Sequence, residues 1–222
     1  MLKNNIFLFK GDEFMKKHII SIGRQYGCGA HEIATKLSEK LGIPYYDKEI
    51  IHLACDRMGL NSKDVTDYGI DSSGSSRGIL SSIGKASRKF FSTQSDMLFF
   101  TQSNLICEMA TQESCIFMGR CADVILTNNH IPHISIFITA PFEQRLRRAM
   151  ELHPGLSAKK AKHLLKKLDR DHQDYYHFFT GRKWGNASNY DLCLNSAAYG
   201  IDGSVDFILR MLDREGKTNL PR

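Results

Sequence analysis

No apolar stretch in these 222 residues approaches the roughly 18 needed to cross a bilayer, the strand-like run Ile134 to Ala140 being among the longest, so a membrane-embedded protein is excluded. Six cysteines (Cys28, Cys55, Cys107, Cys115, Cys121 and Cys193) form no CxxC pair, and nine histidines form neither HExxH nor a Cys/His quartet. That removes structural zinc and leaves reduced thiols in a cytoplasmic protein as the economical expectation. No internal repeat is present, which excludes a solenoid. The leading MLKNNIFLFKGDEF has acidic residues and one short apolar patch where a secretory leader needs basic and then apolar residues, so residues 1–15 are expected to be an extension before the domain. The one tryptophan, Trp184, is expected to pack within an insertion or the core rather than to stack on bases.

What is present suits one enzyme-sized domain. At 42% hydrophobic content the chain can bury a core, and 222 residues accommodate one α/β domain with insertions but not two independent domains. The net charge of +6, from 30 Lys+Arg against 24 Asp+Glu, suits a phosphate-bearing partner without requiring one. Strand-like runs recur at His18 to Ile22, Ile43 to Tyr46, Cys115 to Met118, His133 to Thr139 and Tyr190 to Leu194, with helical patterns between them. Short buried strands alternating with helices predict a parallel sheet covered on both faces. Ile33, Leu37 and Leu41 form a helical stripe that Gly42 stops. Two stretches interrupt the alternation: the Ser/Gly-rich DSSGSSRGILSSIGKASRKFFST, and Glu151 to Arg182, a basic amphipathic segment ending in YYHFFTGRKWG. Two insertions over a rigid sheet are the plan of an enzyme that closes on its substrates.

The first strand runs into IGRQYGCGAHE, a glycine-rich turn at the head of a helix, where backbone N–H groups and the positive helix end meet ligands beyond the strand ends. The standard phosphate loop is GxxxxGK[ST]. Aligning Gly27-Cys28-Gly29 with its closing glycines puts Ala30 where lysine belongs, Glu32 near the hydroxyl position, Arg24 on the leading glycine and Gly23 one place early. A tight strand-to-helix turn is the alternative, but three glycines within seven residues exceed what a turn needs, while close approach to phosphate rewards several. Arg24 or His31 is then the source of the missing charge, and the guanidinium fork of Arg24 suits phosphate oxygens better.

Other polar residues fall on the same side of the sheet. Asp47 follows the second strand and is either a ligand contact or a cap for a helix from Lys48. Arg120 and Asp123 follow Gly119 at the end of the third strand. Arg145 and Arg148 lie three apart on a helix after the fourth strand, one face of which carries both; a solvated face is the alternative. Lys166, Lys167 and Arg170 border the second insertion, where they would meet a transferring phosphate, or else form a solvated helix. A nucleic-acid helix is the weaker reading, because Asp169, Asp171 and Asp174 dilute the charge.

Together SIGRQYGCGAHEIA, LGIPYYDKEII, MGRCAD, IFITAPFEQRLRR and YYHFFTGRKWGNASNYDLCLNS resemble, in order from Lys16 to Leu212, the cytidylate-kinase-like proteins of bacteria. The resemblance implies a three-layer α/β P-loop nucleoside monophosphate kinase fold with about five parallel strands and helices on both faces. It implies one domain over 16–215, a monophosphate-binding insertion at about 48–112, a lid at about 151–183 and a tail at 216–222. ATP with Mg²⁺ would be the donor and CMP, dCMP or a related monophosphate the acceptor; the partners are small nucleotides, not membranes or nucleic acid. The loop residues Gly23, Arg24, Gln25, Tyr26, Gly27, Cys28, Gly29, Ala30, His31 and Glu32 would hold the donor, with Asn195 and Ser196 near its base. Asp47, Arg120, Asp123 and Arg145 would meet the acceptor, and Arg24, Arg148 and Arg170 would carry catalysis. Ala30 in place of lysine, and His172 in place of a second lid arginine, keep a non-catalytic nucleotide sensor as the rival reading.

Overall fold

A computed structural model describes residues 17–60 and 88–217; the N-terminal extension, the Ser/Gly-rich stretch up to residue 87 and residues 218–222 lie outside them. Five parallel strands form one sheet in the order β2-β3-β1-β4-β5: β1 Ile19–Arg24, β2 Tyr45–Tyr46, β3 Cys115–Met118, β4 Ile134–Thr139 and β5 Leu192–Asn195. Seven helices occur among the described residues: α1 Ala30–Leu41, α2 Glu49–Arg57, α3 Arg88–Gln112, α4 Ala122–Asn128, α5 Phe142–Leu152, α6 Ala158–Thr180 and α7 Ser196–Lys217. α7 is kinked at Gly200.

Alternation along the strands builds two cores. Ile20, Ile22, Ile116, Met118, Ile136 and Ile138 pack beneath α1 and α7 against Ile33, Leu37, Val205 and Ile208. Ile19, Cys115 and Phe117 face the other way, into Ile50, Ile106 and Leu126 from α2, α3 and α4. Fully burying a side chain such as Phe117 contributes about 1.5–3 kcal/mol, so these layers hold the sheet rigid under the ligand-facing strand ends. The α1 stripe is as expected, and Gly42 ends the helix with φ 64°, its N–H donating to Ser38 O. α6 begins at Ser157, whose hydroxyl accepts from Lys160 N–H, and buries Ala161, Leu165, Leu168 and Tyr176.

Some boundaries move. β1 continues two residues past Ile22, so Arg24 is the last residue of a central strand rather than part of the loop. β2 shrinks to Tyr45–Tyr46 because Pro44, with no N–H, offers only its carbonyl, which accepts from Ile116 N–H. Residues 88–93 of the Ser/Gly-rich stretch belong to α3.

Candidate active site

β1 delivers the chain to a turn over residues 25–29, braced from several sides. Gln25 N–H donates to Ile138 O at 3.0 Å, and the side chain of Gln25 accepts from the Thr139 hydroxyl. Gly27 and Gly29 have φ 77° and 80°, left-handed values that suit glycine. A Cβ on Gly27 would lie 2.9 Å from Arg145 O, so α5 packs directly beneath the turn. Cys28 is buried; its carbonyl accepts from Ser196 Oγ at 2.6 Å, and burial pushes its thiol up to about 11, which keeps it protonated and unreactive near neutrality. The N–H groups of Gly27, Gly29, His31 and Glu32 take no acceptor among the described residues, so orphan donors gather at the positive end of α1. Ala30, in the lysine's place, is buried.

Arg145 lies under this turn. It is 5% exposed, its Nε donates to Ala140 O at 3.1 Å, and its Nη1 donates to Tyr26 O at 3.1 Å and to Asp169 Oδ2 at 2.7 Å. The other carboxylate oxygen of Asp169 accepts from Tyr26 N–H at 3.1 Å. Its Nε and Nη1 are thus committed to shaping the turn and tying α6 to it, and Arg145 lies beneath the turn, outside the lining of the cleft that holds Arg24 and Arg120. Arg148, one turn later on α5, emerges beside the turn instead. Its Cζ is 3.5 Å from the place a Cβ on Gly29 would take, and it forms an ion pair with Glu32 in the first turn of α1.

A second group of polar residues lines a cleft beyond β2, β3 and β1. Arg24 and Arg120 lie in its wall with Ser21, Gly119 and Asp123, and His172, Tyr175 and Tyr176 from α6 roof it, with Trp184 and Tyr190. Its volume, about 30 Å³, has room for water rather than for a nucleotide. Arg24 packs against Gly119, where any Cβ would strike its guanidinium, and pairs with Asp47 Oδ1 at 3.6 Å. The other oxygen of Asp47 faces His31 Nδ1 at 3.7 Å. Asp47 is therefore not a helix cap: α2 starts at Glu49, whose carboxylate accepts from the Asp47 N–H.

Burial lowers the pKa of Arg24; Asp47 counters this and Arg120 adds to it. Two guanidiniums thus share a wall in which Asp47 pairs with the first and Asp123 is turned to Tyr176, an arrangement in which an anion near both arginines would be stabilised. Gly119, Arg120 and Cys121 have φ 70°, 56° and 55°, so two non-glycine residues adopt left-handed backbone at the end of β3. At the floor, Ser21 Oγ is buried without a hydrogen-bond partner among the described residues.

The roof is neutral where a cationic lid was expected. His172 Nδ1 bonds to Leu168 O at 2.8 Å, and its ring stacks on Trp184 at 5.5 Å and 9°. Burial, with the charges of Arg24 and Arg120, lowers its pKa to about 3, so it is an uncharged imidazole. Asp123 Oδ2 accepts from Tyr176 OH at 2.7 Å, fastening α6 to the start of α4; burial pushes this carboxyl up while the tyrosine bond works against it. Phe137 on β4 supports the far side. Cβ atoms on Gly23 and Gly185 would lie 2.9 Å from its Cδ2 and 3.0 Å from its Cζ, and Trp184 and Tyr190 pack against its ring at 5.2 and 5.0 Å.

Of the remaining expected residues, Arg170 is exposed on α6 and outside the cleft lining, and Asn195 caps α7 by accepting from Ala197 N–H at 3.1 Å. Among the described residues no group of three His, Cys, Asp or Glu side chains is placed to hold a metal, and no helix is long and apolar enough to cross a membrane. Sequence reading does not reveal the Tyr26–Asp169–Arg145 brace, in which Tyr26 and Asp169 are 143 residues apart, nor the pairing of Arg148 with Glu32. Ser21 carried a usable signal, a hydroxyl within an apolar strand.

A family model described as the cytidylate kinase-like family matches residues 19–198. No curated protein sequence matches significantly. An uncharacterized protein from Eubacterium ventriosum, of known structure, is 28% identical with a TM-score of 0.66, covering 89% of this chain and 99% of that one. Shikimate kinase from Bacteroides thetaiotaomicron is 12% identical with a TM-score of 0.51, covering 88% of this chain and 98% of that one. Shikimate kinase from Acinetobacter baumannii, in complex with shikimate, is also 12% identical at TM-score 0.51, covering 91% and 96%. At such identities the likeness is one of fold, and the fold is that of P-loop kinases.

Proposed function

This chain belongs to the cytidylate kinase-like family, and from that premise we propose that it transfers a phosphoryl group from ATP-Mg²⁺ to a nucleoside monophosphate, CMP, dCMP or a close relative. The observation that carries the reading is that Arg24 and Arg120, at the ends of two central strands, line one cleft with a buried hydroxyl that has no partner among the described residues, Arg24 being paired with Asp47 and Asp123 being bonded to Tyr176. A phosphate dianion between the two guanidiniums would complete that cleft.

Donor phosphates fit the orphan amides of Gly27, Gly29, His31 and Glu32, next to the cleft. Magnesium would arrive with the triphosphate, since this ion is commonly held by substrate phosphates and only one or two carboxylates; it would neutralise the charge on the transferring group. Arg24 and Arg120 would hold the acceptor oxygen in line with the terminal phosphorus. The attacking oxygen is already ionised, so no side chain needs to act as base, and His172, neutral and bonded through Nδ1, need not take a proton. Residues 48–112 are assigned to the acceptor side and α6, within 151–183, to the lid. The cleft must widen for a nucleotide, which means α6 lifting from Asp123.

A coupled assay for ADP formation with CMP, dCMP, UMP and AMP tests this, with turnover above the ATP-only rate expected for at least one pyrimidine monophosphate. Micromolar binding without turnover would instead establish the second reading, a nucleotide sensor, which draws on Ala30 in the lysine's place and on a carboxylate already bonded to Tyr26 N–H.

A further inference from the structure

A P-loop kinase without its lysine needs another cation at the donor phosphates. Arg24, the obvious substitute, packs against Gly119 and pairs with Asp47. His31 is turned toward Tyr45, whose hydroxyl lies 2.8 Å from its Nδ1, and burial together with Arg24 lowers its pKa. Arg145 is sealed beneath the turn. Arg148 remains. Its guanidinium lies over Gly29, the glycine at the head of α1, where the orphan amides gather.

We propose that Arg148 supplies the charge that lysine would supply at position 30, and that Glu32 is its positioning partner, holding the guanidinium over the turn until the donor's phosphates take it over. The proposal rests on the phosphotransferase reading and adds a residue to its donor half. Three features carry it. The ion pair spans α5 and the first turn of α1, so it fixes an otherwise free side chain in the direction of the amides. Arg148 is 28% exposed and Glu32 50%, so the pair is open to exchange with a soluble polyanion, unlike the Arg145–Asp169 pair at 6% and 18%. The rigid geometry that presents Arg148 comes from its neighbour three residues earlier, since Arg145 clamps α5 to the turn through Tyr26 O and Ala140 O. When a phosphate oxygen replaces the carboxylate of Glu32, one charge-assisted pair is exchanged for another, and the released glutamate is left beside the donor as a like charge.

Inorganic tripolyphosphate is the probe, because it carries the donor's phosphates without its base or sugar. Its affinity is measured by calorimetry at constant ionic strength for the wild type, Arg148→Ala, Arg148→Lys and Glu32→Gln. Arg148→Ala is expected to weaken binding by about tenfold or more, and Arg148→Lys to recover most of it. Glu32→Gln, which removes the competing charge but keeps a hydrogen-bonding oxygen for Arg148, is expected to tighten it several-fold. Glu32→Gln keeps the cation, so it tests the idea even if an Arg148 variant folds poorly. Binding by Arg148→Ala within roughly twofold of wild type, or weakening by Glu32→Gln, overturns the proposal and leaves the phosphotransferase reading standing. Failure of the wild type to bind either tripolyphosphate or ATP overturns both.

Discussion

Arg120 offers a test in which the backbone and the guanidinium give opposite signals. Its φ of 56°, between Gly119 at 70° and Cys121 at 55°, is a left-handed conformation that a side chain makes costly by about 1–2 kcal/mol. Glycine would relieve that strain but would add about 0.4–1 kcal/mol of unfolded-state entropy. Arg120→Gly and Arg120→Ala lose the same side-chain contacts, so their difference isolates the backbone. Glycine should be the more stable of the two by about 0.5–1 kcal/mol, or roughly 1–4 °C in Tm for a domain of this size. Both variants should lose the same acceptor affinity: two charge-assisted hydrogen bonds to a phosphate, at about 1.5–3 kcal/mol each, amount to a hundredfold or more in Kd for CMP. ATP affinity should hardly move. Thermal unfolding and calorimetry on the two variants provide both readings. An alanine variant as stable as the glycine variant would refute the strain; equal losses of CMP and ATP affinity would refute the placement of the guanidinium on the acceptor side.

Arg24→Met should weaken CMP more than tripolyphosphate, while for stability the lost ion pair with Asp47 opposes the relief from burying a charge near Arg120; a loss confined to the triphosphate would return Arg24 to the donor loop. Asp169→Asn leaves Arg145 without its ion pair and should cost about 3–5 kcal/mol, measured by chemical denaturation, whereas Arg145→Met with Asp169→Leu should recover most of the stability but not the triphosphate affinity. His172 has its pKa lowered from 6.5 to about 3, so the unfolded chain binds a proton that the folded chain refuses between those values, and stability falls as pH drops through that window. The slope from this one group is at most about 1.4 kcal/mol per pH unit, and His172→Phe should flatten the curve between pH 4.5 and 6.5; an unchanged slope would mean that the ring is solvated.

Much of the scaffold was legible because it is local. Cys115–Met118 is buried on both faces and bounded by Ser114 and Gly119, so an apolar run of that length had one reading. Gly42 stops α1 through its own backbone, which any sequence can announce. The site was less legible because its side chains are aimed by partners far along the chain. Arg24 reads as part of a loop until β1 is known to extend through it and Gly119 is known to leave space beside it. Arg145 and Arg148 are three apart on one helix, and no spacing rule separates them; the carboxylates of Asp169 and Glu32, from two other helices, send one beneath the turn and the other over it. Asp47 satisfied the pattern of a cap, but α2 starts at Glu49 without a side-chain cap, and the Asp47 carboxylate faces the arginine instead.

The aromatic ring of Phe137 is gripped at two of its edges by the glycine backbones of residues 23 and 185, one leading into the turn and the other following α6. A ring with both glycine backbones this near turns about its own axis more slowly than one with open space around it. Its flipping rate is therefore sensitive to the position of the segment behind α6, and a single labelled phenylalanine would register any withdrawal of that segment.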